Sequence, residues 1–437
     1  MKKFTLKFLS AAIGVAISHS VAAQNLLDLY QTALKEDRAY QAALATSKSV
    51  KMGEDIADSN YYPSLDLSAD AYSIDNDPKV GSSENYQSHS VTLTAVQPLY
   101  NRDISIASES AKLSSTKADH DLQSSRQDLI VRLATAYFEV LASLDTRTFV
   151  EADKKAIARQ LDQAQQRFDV GLIAITAVHE AQAAYDQAIA NEIAVNNRLD
   201  QAYEALREIV GEMDLNLDPL SADAIFESPN PANLDAWSET AQANNPALLA
   251  ARQTAELALK NIEQQRNGHF PTLNLVGSQT YSDVDNKTTD TGYDRTTVGL
   301  TFDLPLYAGG GVDAAVKQAQ LDFEAAQFNL EKQQRSVTRQ VKDAYRGVIA
   351  SISQIKALEA VRVSAKSALD ATEAGYEVGT RTIVDVLNAQ RNLYEALNNY
   401  ADARYQFMVN LLSLKQAAGT LAEADIEHVN QWLKPAG

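Results

Sequence analysis

Tyr61-Tyr62-Pro63-Ser64-Leu65-Asp66-Leu67-Ser68-Ala69-Asp70-Ala71-Tyr72 alternates apolar and polar side chains between aromatic ends. Its opening returns 208 residues downstream as Phe270-Pro271-Thr272-Leu273-Asn274-Leu275. Period-two alternation gives a strand one apolar and one polar face. Partner runs follow each: Val91, Leu93 and Ala95 alternate with Ser90, Thr92 and Thr94, and Val298, Leu300, Phe302 and Leu304 with Thr297, Gly299, Thr301 and Asp303. Strand pairs are therefore predicted at about 63–98 and 271–305, enclosing polar loops at 75–85 and 282–295. Tyr61, Tyr62, Tyr100, Phe270 and Tyr307 mark one end of the strands, and Tyr72, Tyr86, Tyr281 and Tyr293 the other. Alternating strands of about ten residues with aromatics at both ends are the pattern of a membrane β-barrel and its girdles.

The same offset governs the rest of the chain. Asn25-Leu26-Leu27 returns as Asn233-Leu234-Asp235, Phe168-Asp169-Val170-Gly171 as Tyr376-Glu377-Val378-Gly379, and Gly211 pairs with Gly419. A constant offset means one structural unit used twice. The repeats span 24–231 and 232–437. They follow a secretory signal at 1–23, with a basic head at Lys2, Lys3 and Lys7, an apolar core, and a small-residue cleavage site at Val21-Ala22-Ala23.

Between the strand pairs the chain reads as helix. Residues 104–169 contain no proline or glycine, and 312–377 no proline. Each segment would be about 100 Å long, and helices of that length are stable only along a partner. Four shorter helices are predicted at 25–61, 175–209, 233–268 and 383–414, so two placed end to end match one long helix. Segment 212–231 and the tail after Gly419 are expected to form a small mixed belt around the middle.

Four strands cannot close a barrel, and lipid does not tolerate an open sheet edge. The chain must share its barrel with copies of itself. Composition agrees with a secreted, non-catalytic protein. There is no cysteine, which excludes a disulfide framework and a lipid-modified N-terminus. The net charge of −18 becomes −21 once three lysines leave with the signal, which argues against nucleic acid as a partner. The 6 histidines are scattered, and no catalytic triad, phosphate loop, metal-spaced cluster or cofactor motif is present. A periplasmic scaffold would also be helical and secreted, but it would not need paired amphipathic strands.

The chain resembles the outer-membrane efflux proteins, the exit ducts of double-membraned bacteria, over its whole mature length. The segments that carry the resemblance are Gln160-Leu161-Asp162-Gln163, Gln166-Arg167-Phe168, Val170-Gly171-Leu172, Ala174-Ile175-Thr176, Glu373-Ala374-Gly375-Tyr376 and the run from Val378-Gly379-Thr380-Arg381 to Leu387. The resemblance implies a mostly α protein with membrane β structure. Its assembly would be a homotrimer in which a 12-stranded outer-membrane β-barrel continues into a 12-helix periplasmic α-barrel, with four strands and two long plus four short helices per protomer. It implies contact with outer-membrane lipid, a periplasmic adaptor (membrane fusion) protein and an inner-membrane pump of RND, ABC or MFS type.

The resemblance also assigns residues. Gly171, Leu172, Gly379 and Thr380, at the tight turns, match positions that meet the adaptor. Gln166, Thr176, Tyr376 and Arg381 match gate positions that bond neighbouring helices. Asp385 matches a constriction aspartate. Two departures stand out: Ala177 replaces an aspartate that partners the gate Tyr and Arg, and Asn388 replaces a second ring aspartate. Glu180 occupies the position equivalent to Asn388 in the first repeat. A ring formed by Asp385 and Glu180 is therefore the expectation.

Overall fold

The computed structural model describes residues 24–77, 79–80, 84–285 and 292–434. The expected signal segment and part of each polar loop lie outside them.

Strands β1 (Ser64–Asn76), β2 (Glu84–Tyr100), β3 (Thr272–Asp285) and β4 (Tyr293–Asp303) form one antiparallel sheet in the order β1-β2-β3-β4. The two repeats meet in it where β2 pairs with β3. Directly opposed residues share a face, so the register sorts the side chains. Leu65, Ala95, Gly277 and Val298 form one row, and Leu67 and Leu93 stand opposite each other in the next. On the other face Asp66, Thr94, Ser278 and Thr297 form a polar row. A Thr92–Thr280 hydroxyl contact of 3.2 Å lies on that polar face. Among the described residues nothing covers the apolar face: Leu67 is 72% exposed and Val298 73%. Apolar surface left in water costs about 25 cal/mol per Å², so this face belongs in lipid.

The helices are α1 (Leu26–Glu36), α2 (Arg38–Ser59), α3 (Arg102–Asp169), α4 (Ile175–Val210), α5 (Leu234–Asn244), α6 (Pro246–Arg266), α7 (Gly311–Glu377), α8 (Ile383–Ala417) and α9 (Glu423–Asn430). The long helices α3 and α7 have 68 and 67 residues, about 100 Å each. Helices α2 and α4 pack along α3, and α6 and α8 along α7. The end-to-end matching of short helices to long ones is therefore present. The main core lies at the middle of the rod, around the fully buried Tyr30, Tyr137, Phe138 and Phe407. The expected belt is there too: Gln24 bridges to Leu217, Leu220 bridges to Leu433, and Tyr137 donates to the Asp218 carbonyl at 2.7 Å.

The expectation of four short helices needs correction. The segments 25–61 and 233–268 are each broken in two, at Asp37 and Asn245, which are themselves 208 residues apart. Both residues are extended, and each closes one helix while capping the next. Asp37 accepts from the Tyr40 N–H at 2.6 Å, and Asn245 from the Leu248 N–H at 3.0 Å. Pro246 disfavours helical geometry at its predecessor, which favours the second break. The tail adds α9.

Asp37 also accepts two hydrogen bonds from Arg132, at 3.0 and 3.1 Å, with its own side chain 4% exposed. Burial pushes its carboxyl upward, but Arg132 and the Tyr40 N–H outweigh this and hold it below the usual range. Asp37→Ala should cost about 2 kcal/mol, allowing for the partial exposure of Arg132, read as a lower thermal dissociation temperature in detergent. A depressed folded pKa stabilises above roughly pH 4, and that stabilisation fades as pH falls through the folded value. The variant should lose that acid-side fall.

Candidate functional site at the tip of the rod

Each long helix turns back on itself at the end away from the sheet, and both turns are built alike. Gly171 and Gly379 have φ of 76° and 80°, a left-handed conformation that a side chain disfavours. Around them Leu172 donates to the Arg167 carbonyl and Thr380 to the Gly375 carbonyl, both at 2.8 Å. These bonds satisfy carbonyls that a helix end would otherwise leave unpaired. Val170, Leu172 and Val378 are 70%, 73% and 74% exposed, so each turn offers bare backbone beside apolar side chains.

Beyond the turns the repeats diverge. Helix α8 starts with a capping box: Asp385 accepts from the Thr382 N–H at 2.8 Å and from its hydroxyl at 2.9 Å, while Thr382 caps the Asp385 N–H. The Thr382 N–H, then its hydroxyl, with Arg381 nearby, hold the Asp385 carboxyl below the usual carboxylate range. In the first repeat the same two positions are Ala174 and Ala177, and α4 starts with no side-chain cap. Asp385 is thus a helix-capping residue as well as the expected ring residue. Glu180 and Asn388 are exposed one helical turn further on.

The gate residues split into two groups. Tyr376 is buried in a cluster with Ile157, Leu369, Ile383 and Val386, against which Ala177 packs. The Arg167 guanidinium carbon lies 4.5 Å from the centroid of the Tyr376 ring. Arg381 and Thr176 are exposed, and the Arg381 stem lies where a Cβ on Gly375 would stand, 2.8 Å from its Cγ. Gln166 bonds Asp162 of its own helix at 2.9 Å rather than a neighbour.

A helix-to-helix bond that sequence reasoning missed lies deeper. Gln160 donates to the Gln390 side chain at 2.7 Å, and Gln390 donates to the Asp153 carboxylate at 2.8 Å, tying α3 to α8. Burial pushes the Asp153 carboxyl up, against the Gln390 hydrogen bond and Arg391. The signal was available: Gln160 and Gln390 sit on otherwise apolar helix stripes.

A sheet with one bare apolar face, continued by a rod of paired helices, defines a protomer of an outer-membrane channel. The sequence profile described as Outer membrane efflux protein matches residues 29–212 and again 237–420, two matches separated by the same 208 residues. The chain belongs to this family. It is 39% identical over 440 residues to the outer membrane protein TolC of Vibrio cholerae, covering 100% of both chains. It is 28% identical to the alkaline protease secretion protein AprF of Pseudomonas aeruginosa, over 97% of this chain and 90% of that one. Among solved structures it superposes on the CmeC outer membrane channel of Campylobacter jejuni with a TM-score of 0.80 at 15% identity, covering 94% of this chain and 90% of the other. The protein is an outer-membrane protein whose helical rod extends into the periplasm.

The unequal helix starts give a direct test. Thr382→Ala should cost about 1 kcal/mol of local stability, so amide exchange in the first turn of α8 should quicken about five-fold. In the unaltered protein the first turn of α4 should already exchange faster than that of α8, as measured by hydrogen exchange with mass spectrometry.

Proposed function

We propose that three copies of this chain pool their sheets into a twelve-stranded barrel, and that their helices prolong its bore as a twelve-helix periplasmic tunnel. This duct carries drugs, other small molecules and proteins from an inner-membrane pump of RND, ABC or MFS type to the exterior. The observation that carries the reading is the four-stranded sheet, apolar on one face and, among the described residues, without a partner strand at the outer edges of β1 and β4. Protein cargo is supported by the likeness to a protein whose name records protease secretion.

The two exposed turns, at Gly171-Leu172 and Gly379-Thr380, are the docking points for a periplasmic adaptor. Their like geometry offers two such points per chain. Thr176 and Arg381, both exposed in the single chain, bond the neighbouring copy to hold the entrance closed. Asp385 and Glu180 form successive carboxylate rings at that entrance, two groups per chain and six per trimer.

In a strain lacking its own exit duct, this chain should restore both drug efflux and secretion of a protease substrate; failure of both would contradict the reading. In planar bilayers, Asp385→Asn with Glu180→Gln should weaken block by a trivalent cation at least ten-fold, whereas unchanged block would remove the ring. Because the Asp385 carboxyl is depressed, its part in block should persist through mildly acidic solution and vanish only as pH falls through that lowered value.

A further inference from the structure

The buried face of Tyr376 carries an observation that the gate assignment does not absorb. Tyr376 is 9% exposed, and its hydroxyl is sealed from solvent with no hydrogen-bond partner among the described residues. Because the oxygen is enclosed within one chain, a neighbouring copy does not reach it. Ala177, which packs against the same cluster, supplies no acceptor. What does meet Tyr376 is Arg167 of the other hairpin, 4.5 Å above the ring. Arg159, Glu373 and Glu377 line the same cleft, yet among the described residues Arg167 forms no ion pair. Its charge is therefore directed at the ring, whose π face attracts a cation. The repeat provides no second such contact: the position equivalent to Arg167 is Gly375, whose bare backbone takes the Arg381 stem.

We propose that Arg167 is the positioning residue that latches the α3–α4 hairpin to the α7–α8 hairpin within each chain, through the Tyr376 ring and not through its hydroxyl. This rests on the reading of the tip as a gate. It predicts opposite signs for two substitutions at one position. With the docked hairpins taken as the closed state, a buried hydroxyl without a partner disfavours that state, since parting the hairpins lets water reach it. Tyr376→Phe keeps the ring, removes that penalty and should close the channel further. Tyr376→Leu removes the ring and should open it. Arg167→Gln should open it as well, and Arg167→Lys should fall between Arg167→Gln and the parent. A contact of this class, with Arg167 half-buried, shifts a two-state equilibrium by about two-fold to thirty-fold.

The experiment is single-channel recording of purified, detergent-extracted protein in planar bilayers, with heat-modifiability on gels confirming assembly of each variant. The expected result is lower open probability for Tyr376→Phe and higher for Tyr376→Leu and Arg167→Gln. A Tyr376→Phe channel that opens as Tyr376→Leu does would overturn the proposal, because the hydroxyl would then hold the gate. So would an Arg167→Gln channel that stays as closed as the parent. Building the missing acceptor gives a second arm: in an Ala177→Asp background, Tyr376→Phe should open the channel, reversing its sign. If the parent forms no pores at all, the channel reading fails; if pores form but the signs are wrong, only the latch fails.

Discussion

In hydrocarbon a strand edge leaves its N–H and C=O groups with neither water nor partner, at a cost of several kcal/mol per group. The rest of this structure follows from that constraint. One chain provides four strands, whose register gives a continuous apolar row, and among the described residues the outer edges of β1 and β4 have no partner strand. Lipid satisfies the apolar face but not the edges. Another sheet of the same kind would satisfy those, and in the proposed trimer each tandem repeat pair supplies a third of the barrel wall. The long helices obey a similar logic, since a helix of about 100 Å is held by side-by-side packing and not by its own propensity.

Duplication sets up two equivalent hairpins, and divergence makes them unequal. Thr382 and Asp385 cap α8, whereas Ala174 and Ala177 leave α4 uncapped. Arg167 reaches across to an aromatic ring, whereas its counterpart Gly375 is a recess for Arg381. Two carboxylates toward the tip of the rod behave in opposite ways. Asp385 is held charged by Thr382, and Asp153 is pushed toward neutrality by burial. One backbone unit thus yields two hairpins with different caps and different side-chain contacts at the end of a shared rod.

The fold was largely legible because its two signals are periodic and repeated. Alternation from Leu65 to Ala71 and from Val298 to Leu304 placed the strands, and the 208-residue offset placed both turns at Val170-Gly171 and Val378-Gly379. The breaks at Asp37 and Asn245 were missed although Asn245-Pro246 is a clear breaker, because helical periodicity continues on both sides of it. At the tip, sequence could name Tyr376 and Asp385 but not their partners. The Gln160–Gln390–Asp153 tie and the Arg167–Tyr376 contact join residues more than 200 positions apart, and helical spacing alone carries no information about which helix a side chain will meet.

The central claim is that the unpaired edges of neighbouring chains meet. The chain contains no cysteine, so single cysteines introduced along β1 and β4 can be scanned pairwise and oxidised in intact outer membranes. Closure by three copies predicts a register of cross-linking pairs whose covalent products end at the trimer. Products that remain monomeric at every pair, or a ladder that runs on past three chains, would contradict it.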